Sequence, residues 1–292
     1  MLVEKITSRQ NPLVKRFRRL RSGADRHLVL VEGVRMVEEA LAAGAHFESI
    51  AFTSDLETTE RGIALQDELQ RVPCRGALLS NQVMDYISDT ESPQGVAAMV
   101  TRPHFDLDAV FGISVQLIVI ADGIGDPGNI GTIIRSAEAA GATGLVALPG
   151  TANPFGSKAV RASMGSVLRL PVAIAANTRE VILLAKKMNI AAIVAVPERP
   201  TPSERGRPSR PYTEADYRTG TALIFGNEAS GVSEELASLA DSFVYIPMAP
   251  AVESLNVSTA ASILLYEAAR QRGFSFVKGK VRRRVLDANP ES

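Results

Sequence analysis

Apolar and polar positions along the chain switch repeatedly between the two-residue period of a strand and the 3.6-residue period of a helix. In the first hundred residues, 12–20 carries helical spacing, LVLVEG (28–33) reads as a strand and 34–43 as an amphipathic helix. FESIAFT (47–53) is a strand, a helix follows around 60–71, residues 76–80 add a strand and SPQGVAAMV (92–100) turns into another. The proline and mixed polarity of TRPHFDLDAV (101–110) mark a linker, bounded at 101–112. Beyond it VQLIVIAD (115–122) is a near-continuous apolar run, suited to a strand buried on both faces. Helix 130–140, strand GLVALP (144–149), a helix near 157–165, a short strand near 171–175, helix 178–188 and strand IAAIVAV (190–196) follow. Two further units close the pattern: strand TALIFG (221–226), then strand FVYIPM (243–248) with a last helix whose apolar positions are Val257, Ala260, Ala261, Leu264, Leu265 and Ala268. Such alternation predicts an α/β fold, a parallel sheet covered by helices on both faces. The stretch 197–216, rich in proline, arginine and serine, breaks the pattern and is expected to be an exposed, mobile loop.

Composition narrows the class. At 292 residues, 46% hydrophobic and 22% charged, the chain has the make-up of a globular protein with a substantial core. No apolar run is long enough to span a bilayer and MLVEKITSRQ has no apolar leader region, so a cytoplasmic protein is expected. The single cysteine, Cys74, excludes intramolecular disulfides and cysteine-based zinc sites, and His27, His46 and His104 have no metal-ligand spacing, so no metal is expected. Net charge is zero but unevenly spread. Arg9, Lys15, Arg16, Arg18, Arg19, Arg21 and Arg26 stand against Asp25 alone near the N-terminus, and Lys278, Lys280, Arg282, Arg283 and Arg284 cluster in a C-terminal tail (273–292). Basic runs at both ends suit a phosphate backbone, although each alone reads more simply as a solvated face.

Three clusters carry candidate chemistry. In the first, Gly123, Gly125 and Gly128 spell G-x-G-x-x-G between a strand and a helix, the pattern of a dinucleotide site. The next strand, however, ends in Ala147-Leu148-Pro149-Gly150 with no acidic residue for a ribose, and Pro127 removes an N–H donor, which weakens a nicotinamide-oxidoreductase reading. The same turn brings Asn129 to a helix start with Arg135 six residues on, about 120° around the axis. Arg135 interrupts a small, apolar helix. On a buried face it needs a carboxylate, a phosphate or another subunit, with Glu138 the plainest partner. The second cluster, FGNEASG (225–231), puts Gly226 and Glu228 where a parallel strand ends, the edge at which ligands bind; Gly226 there permits a close backbone approach. The third, IPMAPAVESLNVS (246–258), runs from a strand end through Glu253, Ser254 and Asn256 into the last helix. Unpaired N–H groups at such a junction can hold a ligand, and capping of the helix by Ser254 or Asn256 is the simpler alternative.

Together, in this order and spacing, NIGTIIRSA (129–137), FGNEASG and IPMAPAVESLNVS resemble the SpoU/TrmH family of the SPOUT methyltransferases, over roughly 115–272. The N-terminal part, through ITSRQNPLVK (6–15), VEGVRMVEEAL (31–41) and SPQGV (92–96), is similar to the L30e-like substrate-binding domain found in many of these enzymes. The resemblance implies an L30e-like α/β domain at 1–100 and a SPOUT domain at 113–272 with a C-terminal trefoil knot. It implies S-adenosylmethionine-dependent 2′-O-ribose methylation of structured RNA, most plausibly 23S ribosomal RNA, by a homodimer. Carried over, Arg135, Asn129, Glu228, Ser254 and Asn256 are the catalytic set. Gly226, Ile246 and Leu255 hold the cofactor through backbone groups, and Arg9, Lys15, Arg16, Arg18 and Arg19 meet RNA. In the family the arginine is credited with activating the ribose hydroxyl. A guanidinium stays protonated to above pH ~12, so positioning a phosphate and stabilising a developing oxyanion is the alternative form. Pro250 stands where family members commonly have glycine. A non-catalytic RNA-binding or ribosome-assembly factor retaining the fold is the competing reading.

Overall fold

The computed structural model describes residues 2–112, 116–198 and 208–274; the basic C-terminal cluster from Lys278 to Arg284 and part of the proline-rich stretch lie outside them. In chain order the elements are β1 (Leu2–Ile6), α1 (Pro12–Leu20), β2 (Leu28–Glu32), α2 (Val34–Ala42), β3 (Phe47–Phe52), α3 (Glu60–Gln70), β4 (Arg75–Leu79), α4 (Asn81–Ile87) and β5 (Val96–Thr101). They continue with α5 (Leu107–Phe111), β6 (Leu117–Ala121), α6 (Pro127–Ala139), β7 (Gly144–Ala147), α7 (Ser157–Ser163), β8 (Val172–Ile174), α8 (Thr178–Lys187) and β9 (Ala191–Val196). Then come β10 (Ser209–Pro211), β11 (Thr221–Phe225), α9 (Glu234–Leu239), β12 (Ser242–Tyr245) and α10 (Val257–Gln271). They form two compact units. One comprises the chain up to Pro103 together with Asn153–Arg169; the other comprises His104–Ala152 and the chain from Leu170 on.

The first unit is built on a five-stranded sheet in the order β1-β4-β3-β5-β2. β1, β4 and β3 run parallel, and β5 is antiparallel to both its neighbours. Helix α1 begins where Asn11 accepts a hydrogen bond from the Leu13 N–H (2.8 Å) and Pro12 supplies a pre-set φ at the first turn. Its apolar positions Val14, Phe17 and Leu20 are buried in one core with Leu30, Met84 and Met99, each such side chain contributing roughly 1.5–3 kcal/mol. The Glu32 carboxylate is buried and satisfied by Ser88, by Thr90 Oγ1 (2.8 Å) and by the Asp89 N–H (3.1 Å). Asp89 in turn accepts from Arg21 and from Ser157 Oγ (2.7 Å). Burial alone would raise its pKa, but those hydrogen bonds and the charges of Arg21 and Arg161 hold it below the ordinary carboxylate value.

The second unit carries a seven-stranded sheet, β10-β12-β9-β11-β6-β7-β8, in which every pairing is parallel. β6 and β11 are buried along their whole length, as their unbroken apolar runs require of strands covered on both faces. Two segments differ from the sequence expectation. The linker contains α5, whose Val110 and Phe111 are core residues, because an Asp106 cap and two large apolar residues suffice for a single anchored turn. The expected loop at 197–216 ends in edge strand β10 and a 3-10 turn at Tyr212–Glu214. It is anchored by Tyr217, fully buried, whose hydroxyl donates to the Tyr212 carbonyl (2.9 Å); burial, with Glu267 and Tyr212 nearby, pushes its phenol well above its usual value.

Candidate functional site

The carboxyl ends of β6, β11 and β12 release three loops at one edge of the parallel sheet, and all three sequence clusters lie in them. The loop after β11 is held shut by its own backbone. Asn227 and Gly231 exchange N–H···O bonds (2.9 Å each), and the Asn227 side chain accepts from the Ala229 and Ser230 N–H groups (2.9 and 3.1 Å). A Cβ on Gly226 would lie 2.4 Å from the Gly231 carbonyl carbon and 2.5 Å from the Val232 nitrogen. Gly226 is therefore required for a close approach of the chain to itself, a constraint the sequence reading did not give it.

This loop is tied to the one after β6. Asn227 Nδ2 donates to the Gly123 carbonyl (2.9 Å), and Gly123, at φ +71°, donates its own N–H to Thr151 Oγ1 (3.0 Å). Asp122, a buried carboxylate, accepts from the Ser233 N–H (2.7 Å). Asp122, Asn227 and Thr151 thus position the site without having been singled out in the sequence. Asn227 was adjacent to a chosen residue, but only the fold brings Thr151 and Asp122 to it. Asp126 caps α6, taking the Gly128 and Asn129 N–H groups at 2.7 and 3.0 Å. Those are donors a pyrophosphate would need at this helix start, a structural reason against a dinucleotide here.

Asn129, Glu228 and Asn256 come together although 99 and 127 residues separate Asn129 from its partners. Asn129 Nδ2 donates to Glu228 Oε1 (2.6 Å), and Asn256 Nδ2 donates to Asn129 Oδ1 (3.0 Å). Asn256 is also the cap of α10: its Oδ1 accepts from the Ser258 N–H (2.9 Å), the Thr259 N–H (3.4 Å) and Ser258 Oγ (2.6 Å). Both readings of that residue hold at once. Beside this chain lies a cavity of about 290 Å³ whose walls include Gly226, Glu228, Ile246, Ser254, Leu255 and Asn256. Its base is apolar (Val244, Ala260 and Leu264), and Met248 closes the loop side, its N–H donating to Glu198 (3.2 Å). The volume stands at the lower end of the roughly 300–1,000 Å³ usual for small-ligand sites, and apolar walls with a few convergent polar groups suit a nucleoside-containing molecule. Among the described residues, no group of three or more His, Cys, Asp or Glu side chains could hold a metal ion, and no helix is long and apolar enough to cross a membrane.

Arg135 departs from expectation. α6 buries Ile130, Ile133, Ile134 and Ala137, while Arg135 is exposed, with no hydrogen bond or ion pair to any described residue, Glu138 included. Two residues beyond Ile133 on a helix, it is turned roughly 160° away from that buried row. Of the basic residues chosen on α1, Arg16 is neutralised by a two-pronged ion pair to Glu48. Arg9, Lys15, Arg18 and Arg19 are exposed and have no carboxylate partner among the described residues.

The model of the SpoU rRNA methylase family matches residues 116–266, and that of the MRM3-like substrate-binding domain matches residues 11–98. The chain is 31% identical to the 23S rRNA (guanosine(2553)-2′-O)-methyltransferase RlmP of Bacillus subtilis, over 90% of this chain and 98% of that protein. It is 34% identical to a 23S rRNA (uridine(2479)-2′-O)-methyltransferase of Streptomyces viridochromogenes, over 83% of each. The crystal structure of an AdoMet-bound rRNA methyltransferase from Sinorhizobium meliloti superposes with a TM-score of 0.76 at 31% identity, covering 92% of this chain and 98% of that one.

Proposed function

The chain belongs to the SpoU rRNA methylase family, and we propose that it transfers a methyl group from S-adenosylmethionine to a ribose 2′-hydroxyl of 23S ribosomal RNA. The observation that carries the reading is the Asn129–Glu228–Asn256 chain at the mouth of the cavity, built from all three motif loops. The 23S ribose methyltransferases among its relatives and the cofactor-bound neighbour support it from outside.

Gly226, Ile246 and Leu255 are the residues that would hold the cofactor, by backbone groups against the apolar floor of the cavity. When bound, it supplies an activated methyl group on a sulfonium centre. The protein's own part is to bring the ribose hydroxyl into line and to accommodate charge as its proton leaves. Asn129 has a fixed amide orientation, donating to Glu228 and accepting from Asn256, so Glu228 keeps one carboxylate oxygen for the ribose. Ser254, exposed at the same mouth, adds a hydroxyl. Arg135, solvent-facing and without a partner among the described residues, is assigned to the target phosphate and the developing oxyanion.

The same reading gives the protein a homodimeric state, with Arg135 completing the site of the opposite subunit, and a trefoil knot in the second unit. What supports the knot is the strand order, in which β11 runs between β6 and β9 while β12 lies beyond β9. Residues 1–100 act as the substrate-binding domain and Arg9, Lys15, Arg18 and Arg19 as its RNA contacts; the protein works in the cytoplasm, where ribosomal RNA is found. The test is Arg135→Ala. Transfer of labelled methyl groups to 23S RNA should fall by at least two orders of magnitude, a loss of more than about 2.7 kcal/mol of transition-state stabilisation, while calorimetric cofactor affinity stays within twofold. Near-normal turnover would remove Arg135 from the mechanism. Absence of any cofactor binding by the unmodified protein would favour a binding-only role.

A further inference from the structure

We propose that Arg9 and Arg18, held beside one another by Tyr86, form a phosphate clamp that grips the RNA strand on the first unit, with Lys15 and Arg19 extending it along α1. The inference rests on the RNA-methylation reading and deepens it by assigning particular contacts and a positioning residue, Tyr86, that no sequence motif marked. The guanidinium carbon of Arg18 lies 4.2 Å from the Tyr86 ring centroid and that of Arg9 lies 5.2 Å from it. Both distances are within the range of a cation–π contact, so one aromatic ring gathers two like charges that would otherwise repel and drift apart. Backbone carbonyls on α4 finish the job: Arg18 Nη1 donates to the Tyr86 carbonyl (2.7 Å) and Arg9 Nη2 to the Gln82 carbonyl (3.4 Å).

Each of these hydrogen bonds uses one of the five donors of a guanidinium, so most of both forks stay free. Neither arginine has a carboxylate partner among the described residues, and Asp85, the one carboxylate on α4, pairs with neither. The contrast with their neighbours is what makes this a patch and not a general basic surface. Arg16 is locked to Glu48 and Arg21 to Asp89, so their charge is already answered. Lys15 and Arg19, four residues apart, share the side of α1 turned away from its buried Val14, Phe17 and Leu20, and Arg18, one turn on from Val14, flanks the buried row on the side of Tyr86. Pre-ordered guanidiniums with free forks match a phosphodiester better than they match an isolated carboxylate, because two of them can meet successive phosphates of one strand.

The experiment is equilibrium binding of the 292-residue protein to a labelled 23S RNA fragment by fluorescence anisotropy across roughly 50–300 mM salt, the range over which counterion-release slopes are read. Arg9→Gln and Arg18→Gln should each reduce the slope of log K against log[salt] by about 0.7–0.9, and the double variant should bind on the order of tenfold more weakly at 0.1 M salt. Tyr86→Leu should weaken binding through both arginines, and Tyr86→Phe, which keeps the ring, should restore it. Arg61→Gln serves as the comparison: Arg61 is paired with Glu38, so slope and affinity should be unchanged. If the double variant binds with an unaltered slope while the unmodified protein binds and methylates the RNA, the clamp is overturned and the methylation reading stands. If the unmodified protein neither binds nor methylates the RNA, both fall.

Discussion

Gly226→Ala separates the packing of the cofactor loop from its chemistry. The residue has no positive φ that alanine would resist; what forbids a side chain is space. The added carbon would sit 2.4 Å from the Gly231 carbonyl carbon, 2.5 Å from the Val232 nitrogen and 2.6 Å from the Gly231 oxygen, all backbone atoms that cannot rotate out of the way. Normal contact requires about 3.5 Å, so the Gly231–Val232 segment must retreat by roughly 1 Å. That retreat strains the paired Asn227–Gly231 bonds (2.9 Å each) and the Ser233–Asp122 bond (2.7 Å) that hold the loop. Overpacking of this kind costs about 1–3 kcal/mol, which for a unit of this size lowers Tm by roughly 2–12 °C. Because Gly226 and Glu228 both line the cavity, cofactor affinity should fall at least tenfold in calorimetry, more than the stability loss alone implies. Gly125→Ala is the control: nothing lies within 4 Å of its Cβ position, so its Tm should stay level or rise slightly. A Gly226→Ala protein with unchanged Tm and cofactor affinity would refute the argument that backbone crowding shapes this loop.

Three further outcomes follow from the same geometry. Asn256→Ala should cost about 0.5–2 kcal/mol by urea titration through loss of the α10 cap, whereas Asn256→Asp keeps the cap and the stability but loses the donor to Asn129, so only its methyl transfer should fall. Glu228→Gln should retain cofactor binding in calorimetry yet lower kcat at least tenfold, since the amide oxygen can still accept from the Asn129 NH2 but the charge is lost and the oxygen kept for the ribose becomes an NH2 donor. Asp89 has a folded-state value below its ordinary 3.8, so its contribution is present above about pH 4 and is lost as pH falls through the lower folded value; in acid melts Asp89→Asn should flatten that low-pH decline and reduce stability at neutral pH.

Periodicity found the strands and helices that are long or apolar throughout. It missed β1 and α4, because LVEKI has two exposed polar positions in five and NQVMDYI is only seven residues, too short to show a helical repeat. Those elements exist because the core they join already exists: Val83, Met84 and Ile87 are buried against α1. The same division runs through the site. Asn129, Glu228 and Asn256 were legible as residues at loop starts, and the resemblance joined them. Their hydrogen bonds were not legible, since they depend on β6 and β11 being neighbours while Asn256 follows a third strand. Arg135 was misplaced for a related reason: the apolar residues on both sides in sequence are not on both sides in space. Helical geometry puts Ile134 and Arg135 100° apart, enough for one to be core and the other solvent-facing.

The direction of the polar chain explains why these three side chains, and not others of similar size, occupy the cavity mouth. Capping α10 consumes the oxygen of Asn256 on three donors, so only its NH2 is left to face Asn129. That contact forces the Asn129 oxygen inward and its NH2 outward, and the outward NH2 finds an acceptor only in a carboxylate standing on the turn after β11. Asn129 lies in the first turn of α6 and Asn256 caps α10, so the polar chain links the starts of two helices to Glu228. The one formal charge in the chain therefore stands at its exposed end, where ordering it costs little desolvation and where a hydroxyl proton donor can reach it. Reversing the Asn129 amide would break its bonds to Glu228 and Asn256, and reversing Asn256 would break the cap of α10 together with the bond to Asn129. Helix capping, loop closure and substrate orientation are thus one set of hydrogen bonds, and a substitution that disturbs activity through Asn256 must also be read at the start of α10.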